Sequence, residues 1–167
     1  TFILGISFAV SGNTGNGRCA LVCNSGHYSQ IRYCMFNGNQ GVLISQNTTF
    51  TLSDNYFDVR YVGAQISHGA HGDIFRNVVV GTPHACYQMG GGGYVQSYYN
   101  YGSTTYTTGK FIDSSSSLDS AIIKSCYIDS TCTYGAYGYN ITLSNCTNNA
   151  ATPVYNLTSG GSIEEWD

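Results

Sequence analysis

Apolar residues return at a fixed interval along this chain, with polar and glycine-rich stretches between them. In GVLISQN (residues 41–47) and GAQISHG (63–69), Gly41, Ile44 and Ser45 are matched 22 positions on by Gly63, Ile66 and Ser67. One interval earlier, in CALVCNS (19–25), Ala20 and Val22 stand where Val42 and Ile44, then Ala64 and Ile66, follow. A second column runs through IRYCMF (31–36), LSDNYF (52–57), IFRNVV (74–79), IIKSCYI (122–128) and ITLSNCT (141–147). There Cys34, Asn55, Asn77, Cys126 and Cys146 recur in steps of 21, 22, 49 and 20. The 49-residue step is too long for two regular turns. Residues 94–120 are expected to hold one turn around Tyr98 and a longer loop.

A fixed period of this size is the signature of a solenoid, and helical periodicity is missing everywhere. The pattern predicts two short strands per turn, one carrying the Cys/Asn column and one the Val22, Ile44, Ile66 column. Polar, glycine-rich corners separate them. Like strands of successive turns would pair in parallel at about 4.8 Å. Only two Pro occur, as expected when most backbone N–H groups belong to ladders. An isolated inward Asn is costly, but Asn following Asn lets the amides bond to one another and to corner backbone. The predicted fold is all-β: a single-stranded right-handed parallel β-helix of about six to seven turns over residues 1–160, with 20–22 residues per regular turn. Its hand follows from the general preference of parallel crossovers. The ending 161–167 holds Glu164, Glu165 and Trp166 and leaves the repeat. Solenoid ends need caps, and no amphipathic helix opens the chain, so it is expected to be an excerpt of a longer one.

Composition narrows the partners. Charged residues make up only 9% of the 167 residues, against about 25% in an average domain. With 15 Tyr, 21 Gly and dense Ser, Thr and Asn, the surface is coated by hydroxyls and amides, which suits neutral polar ligands, above all sugars. Six Lys and Arg and a net charge of -3 argue against nucleic acid. No apolar run of about 18 residues predicts membrane insertion. The seven Cys match no zinc spacing or compact disulfide framework. They read as small buried hydrophobes, with at least one left free by the odd count. No cofactor or metal is expected. Sequons at Asn47, Asn140, Asn145 and Asn156 carry weight only in a secreted eukaryotic setting.

Candidate chemistry follows from the same columns. Hydrolysis of a glycosidic bond usually needs two carboxyl groups roughly 5 to 9.5 Å apart. Glu is absent before residue 164, so Asp must serve. Asp54 lies 22 residues after Arg32 and 22 before Arg76, which predicts an outward Arg32–Asp54–Arg76 stack. It reads either as an acidic-sugar site with Asp54 as base or as an ion-pair ladder. Asp58, with Arg60, follows on the same strand and is a second candidate carboxylate. In SHGAHGD, Asp73 lies beside His68 and His71 in a glycine-rich corner, where acid–base work competes with a plain solvated turn. Gly90–Gly93 permit a tight corner, and Tyr94, Tyr98, Tyr99 and Tyr101 after them offer rings to sugar faces and hydroxyls to sugar oxygens. The alternative for these Tyr is strand core and subunit interface. Asp113 and Asp119, in IDSSSSLDS, belong to a polar corner.

Taken together, the 21- to 22-residue turns, the IRYCMF, IFRNVV and IIKSCYI strands and the Ser/Thr/Gly/Tyr-rich corners resemble the pectate-lyase-like β-helices. Within that group the chain looks most like bacteriophage tailspike and tail-fibre proteins, over nearly all of residues 1–160. The resemblance implies a homotrimer, held with other tail proteins in the virion and acting at the host cell surface. It implies binding to a bacterial surface polysaccharide and, in many members, cleavage by hydrolysis or elimination. The chain carries neither a pectate-lyase calcium cluster nor a polygalacturonase-type Asp string. Two other readings stay open: a secreted pectinase-like enzyme, and a non-catalytic fibre or adhesin segment.

Overall fold

The structure, a computed structural model, describes residues 1–9, 19–24, 26–156 and 163–166. The described residues form strands and turns with no helix, wound into a parallel β-solenoid of six to seven turns. One flank is an eight-stranded parallel sheet made of Phe2–Leu4, Ser29–Arg32, Thr49–Ser53, His71–Phe75, Tyr94–Tyr98, Ser120–Lys124, Ile141–Ser144 and Ile163–Trp166. The last of these pairs with Ile141–Ser144, so the ending that composition sets apart is joined to the repeat.

The second sheet has 12 strands and covers two further flanks. Met35–Ile44 and Tyr56–Ser67 run through both, with a register shift between Gly38 and Gln40 where the chain changes flank. Beyond them the flanks separate. Val78–Gly81, Tyr101–Gly102, Tyr127–Ile128 and Thr147–Asn148 continue one. Ala85–Gly90, Lys110–Ser114, Tyr134–Gly138 and Thr152–Asn156 continue the other. Each turn therefore has three strands, and the expectation of two is corrected. The missed strand follows the Cys/Asn column directly, with no Gly or Pro between, and shrinks to two residues in later turns, too short to show alternation.

The Cys/Asn column lies at the corner between the first and second flanks. Cys34, Asn55, Asn77, Asn100 and Cys126 are all buried there. Asn100 fills the long step, so residues 94–120 do hold one extra turn. Each column residue follows one with positive φ: Tyr33 (55°), Asp54 (57°), Arg76 (53°), Tyr99 (54°), Ser125 (51°) and Asn145 (51°). A left-handed non-glycine residue costs roughly 1–2 kcal/mol, and here a side-chain ladder offsets that cost. The N–H groups of Cys34, Asn55 and Asn77 donate to the Oδ1 of Asn55 (2.9 Å), Asn77 (3.0 Å) and Asn100 (2.8 Å). Each amide nitrogen donates back to a carbonyl of an adjacent coil: Asn55 to Ile31, Asn77 to Leu52 and Asn100 to Ile74.

The interior is filled by columns of like residues. Phe8, Phe36 and Phe57 stack at 5.0 and 4.7 Å. Ile31, Leu52 and Ile74 line the first flank, and Ile44, Ile66 and Met89 the third. Gly41 and Gly63 recur because a Cβ at Gly41 would run into the Gly63 carbonyl and the Phe57 ring. The Val42–Ala64 and Ile44–Ile66 pairs are in register as expected, but Cys23, not Val22, aligns with Ile44. Val22 faces outward and is 49% exposed. The turn from Cys34 to Asn55 is 21 residues long rather than 22, and a one-residue slip exchanges the two faces of a strand. All seven cysteines are free thiols. Contact with Cys132 and burial push the Cys86 thiol up, and Cys146 and burial do the same to Cys126. These are inert thiols.

Candidate functional site

The outer face of the first sheet carries a shallow groove of ≈ 390 Å³ lined by Asp73, Phe75, Arg76, Gln96, Tyr98 and Tyr99. Alternation sends Asp73, Phe75, Gln96 and Tyr98 outward, because Ile74 and Ser97 between them are buried. Asp73 is in register with Gln96, and Phe75 with Tyr98, so two neighbouring coils build the floor. Arg76 and Tyr99 come next, at the left-handed corner, and flank it. Tyr99 is 66% exposed.

Charge at this corner is internally compensated. Arg76 donates from Nε to Asp54 Oδ1 (2.6 Å) and from Nη2 to Asp54 Oδ2 (2.9 Å). Those bonds hold the Asp54 carboxyl below the usual range. The guanidinium carbon lies 4.7 Å from the centroid of the Phe75 ring. The fork uses two of the five N–H donors of Arg76. Arg32 does not complete the expected stack. It pairs with Ser53, one residue short of the corner where Tyr33 stands, and adds only the weakest of the influences on Asp54. The 21-residue turn again accounts for the offset.

Hydroxyls and amides organise the rest. Gln96 donates from Nε2 to the Tyr94 hydroxyl (2.9 Å), and the Tyr98 hydroxyl donates to Gln96 Oε1. Burial, with Asp73 beside it, pushes the Tyr98 phenol up. Tyr94 thus belongs to the same network as Tyr98, at the groove's edge. Tyr101 does not: it lies on the second flank, donates to Asp129 Oδ2 (3.2 Å) and stacks on Tyr127 at 5.5 Å. The left-handed turn at Tyr99 separates them. Asp58 is also on that second flank, exposed, in the strand Tyr56–Ser67.

The remaining candidates have local partners. His71 lies on the first sheet, with Nε2 2.9 Å from Thr49 Oγ1. His68 stands at a left-handed corner against Ser67 Oγ (3.0 Å). Asp119 braces the glycine corner, accepting from the N–H groups of Gly92 (2.9 Å) and Gly93 (3.0 Å). Asp113 pairs with Lys110 at 2.8 Å. Among the described residues no group of three or more His, Cys, Asp or Glu side chains is gathered as a metal site. Asn140 donates its amide to Ser117 and Asp119 carbonyls, Asn47 and Asn145 are exposed, and Thr158 of the Asn156 sequon lies outside the described residues.

Phe75 and Gln96 are groove residues that sequence reasoning missed. The signal for Gln96 was its place between Tyr94 and Tyr98 at strand alternation. The groove combines ring faces, an amide, phenols, one free carboxylate and a neutralised guanidinium. That set suits a hydroxyl-rich ligand held by stacking and hydrogen bonds. The chain matches no known family model, no curated protein and no solved structure.

Proposed function

We propose that this chain is a polysaccharide-recognition β-solenoid of the tailspike kind, which meets a bacterial surface glycan on the outer face of its first sheet. In this reading it works as a homotrimer on a phage tail, at the host surface. The observation that supports it is the groove itself, where Phe75, Tyr98 and Tyr99 supply rings and Gln96, Asp73 and Arg76 supply polar contacts. Recognition is favoured over cleavage within one chain. Two-carboxyl hydrolysis needs an acid and a base on either side of the bond. Asp73 is the groove's free carboxylate, Asp54 is committed to Arg76, and Asp58 lies on another flank.

The test is an immobilised array of bacterial O-antigen and capsular polysaccharides, with fragment size followed in parallel. Tyr98→Ala and Tyr99→Ala are expected to weaken binding to a retained glycan by roughly tenfold each, the equivalent of about 1.4 kcal/mol. Unchanged affinity in both variants would move the site away from the groove. Shortened chains, abolished by Asp73→Asn, would replace recognition by depolymerisation. Sedimentation of the same sample separates a trimer from the monomer that a pectinase-like enzyme would give.

A further inference from the structure

The first sheet repeats one side-chain device at two places. Gln96 donates to the hydroxyl of Tyr94, two residues before it, at 2.9 Å. Gln30 donates to the hydroxyl of Tyr28, also two residues before it, at 2.7 Å. Gln30, Thr51, Asp73 and Gln96 are in register on consecutive coils, so the two Tyr–Gln pairs lie on one line parallel to the solenoid axis. Three steps of roughly 4.8 Å set them about 14 Å apart. The coils between present Thr49 and Thr51, then His71 and Asp73, on the same outward positions. Of these, Thr51 is buried against the Tyr28 hydroxyl. Tyr28 and Tyr94 stand at the two ends, 43% and 37% exposed.

We infer that the glycan site extends beyond the groove to a second subsite at Tyr28 and Gln30, so that the ligand is a neutral oligosaccharide lying across four coils. This rests on the reading of the groove as a glycan site. Each phenol oxygen accepts from its glutamine, which at Tyr94 leaves the phenol proton to donate to a sugar oxygen and at Tyr28 leaves it to be shared between Thr51 and a sugar oxygen. At Tyr28 the oxygen is also 2.9 Å from Thr51 Oγ1, which fixes the ring against the next coil. A ring held in this way loses little freedom when a sugar stacks on it. The charge argument selects the ligand class. Asp73 is exposed on the third of the four coils, Arg32 stands two residues after Gln30 on the first, and Arg76 is paired with Asp54, so the charges along the line balance and no excess of cations favours a polyanionic glycan.

The experiment uses the whole chain, the same polysaccharide array, and fragments of a retained polysaccharide sized by mild acid and gel filtration. Tyr28→Ala and Tyr28→Phe are compared with Tyr98→Ala, and far-ultraviolet circular dichroism confirms that each variant keeps its fold. The expected result is a roughly tenfold loss for long fragments in Tyr28→Ala, a smaller loss in Tyr28→Phe, and no change for the shortest bound fragments. Wild-type affinity of both Tyr28 variants for long fragments, with Tyr98→Ala still impaired, would overturn the second subsite and leave the groove reading standing. Retention of acidic polysaccharides in preference to neutral ones would overturn the ligand class. If the array retains nothing, the groove reading fails and the subsite falls with it.

Discussion

Asn77 bonds to both neighbouring coils at the buried corner. Its Oδ1 accepts from Asn55 N (3.0 Å) and Asn55 Nδ2 (2.9 Å), and its Nδ2 donates to the carbonyls of Leu52 (2.9 Å) and Phe75 (3.2 Å). Replacing it with Ala leaves several buried polar groups without a partner, at about 1–3 kcal/mol for each group that water cannot reach. Asn77→Ala is therefore expected to lose at least ~3 kcal/mol, read from the urea midpoint, and a loss under ~1 kcal/mol would mean that water replaces the amide. Asn77→Asp is expected to be no better, because it keeps the acceptor but buries a charge. One residue earlier on the ladder the corner turns outward and chemistry replaces packing. Asp54 has a folded pKa held below its unfolded one by the Arg76 hydrogen bonds. The ion pair's contribution is complete above the ordinary carboxylate pKa of ~3.9 and is lost as pH falls through the lowered value. Titrating stability down through that range should show part of the acid loss missing in Asp54→Asn. An unchanged profile would show that solvent screens the pair fully.

At the scale of the strand and its corners, each junction between flanks is held differently. The corner between the second and third flanks uses rings. His84 stacks on Tyr106 at 3.7 Å and faces Tyr61 at 4.9 Å, and its backbone joins Tyr61 and Lys110. Burial, then the charge of Lys110, lowers the His84 pKa. The unfolded chain thus binds a proton that the folded chain resists, so stability declines as pH falls from about 6.5 toward the lowered value. The thermal midpoint should drop over that window in the wild type and stay flat in His84→Phe, which keeps a ring in the stack; equal slopes would place the sensitivity at another histidine. Such corners explain what the sequence could and could not reveal. The period, the Asn ladder and the Ile44–Ile66 column were legible because buried positions admit few residue types. The 21-residue turn was not, since Arg32, Asp54 and Arg76 are 22 apart in sequence whether or not the coils are. Four of the six groove residues were legible: Asp73, Arg76, Tyr98 and Tyr99 are rare charged groups or large rings. Gln96 and Phe75 are ordinary residues in this composition and become site residues only through register, and Tyr101 was lost to another flank by one left-handed residue.

For the whole molecule, stacking makes stability nearly one-dimensional. Each coil touches the coil before and the coil after, so its free energy is an intrinsic term plus two interfaces. Coils between residues 49 and 112 have both interfaces and contribute the largest buried side chains, among them Phe50, Phe57, Ile74 and Tyr87. The first coil of this chain has one interface among the described residues. Its inward residues show the difference: Ile3 and Phe8 are half-buried, whereas Ile31 and Phe36, in register with them on the next coil, are fully buried. In a sample of the 167-residue chain by itself, local opening should therefore cost least at Phe2–Leu4 and Ser7–Ala9 and rise toward the centre. Hydrogen exchange read by mass spectrometry is expected to give a gradient. Amides of the first coil should exchange fastest, and those of Thr49–Ser53 and His71–Phe75 slowest, near the limit set by global unfolding. The groove lies on the protected side of that gradient, which keeps Asp73, Gln96 and Tyr98 in register for a ligand, whereas Tyr28 stands two to three coils nearer Phe2–Leu4, on the coil next to it. Uniform protection from the first coil to the last would mean that the interfaces are strong enough to make the solenoid a single cooperative unit. A gradient steep enough to reach Ser29–Arg32 would instead make ligand binding at Tyr28 slow exchange in the strand beneath it, a change visible in the same measurement with a bound glycan present.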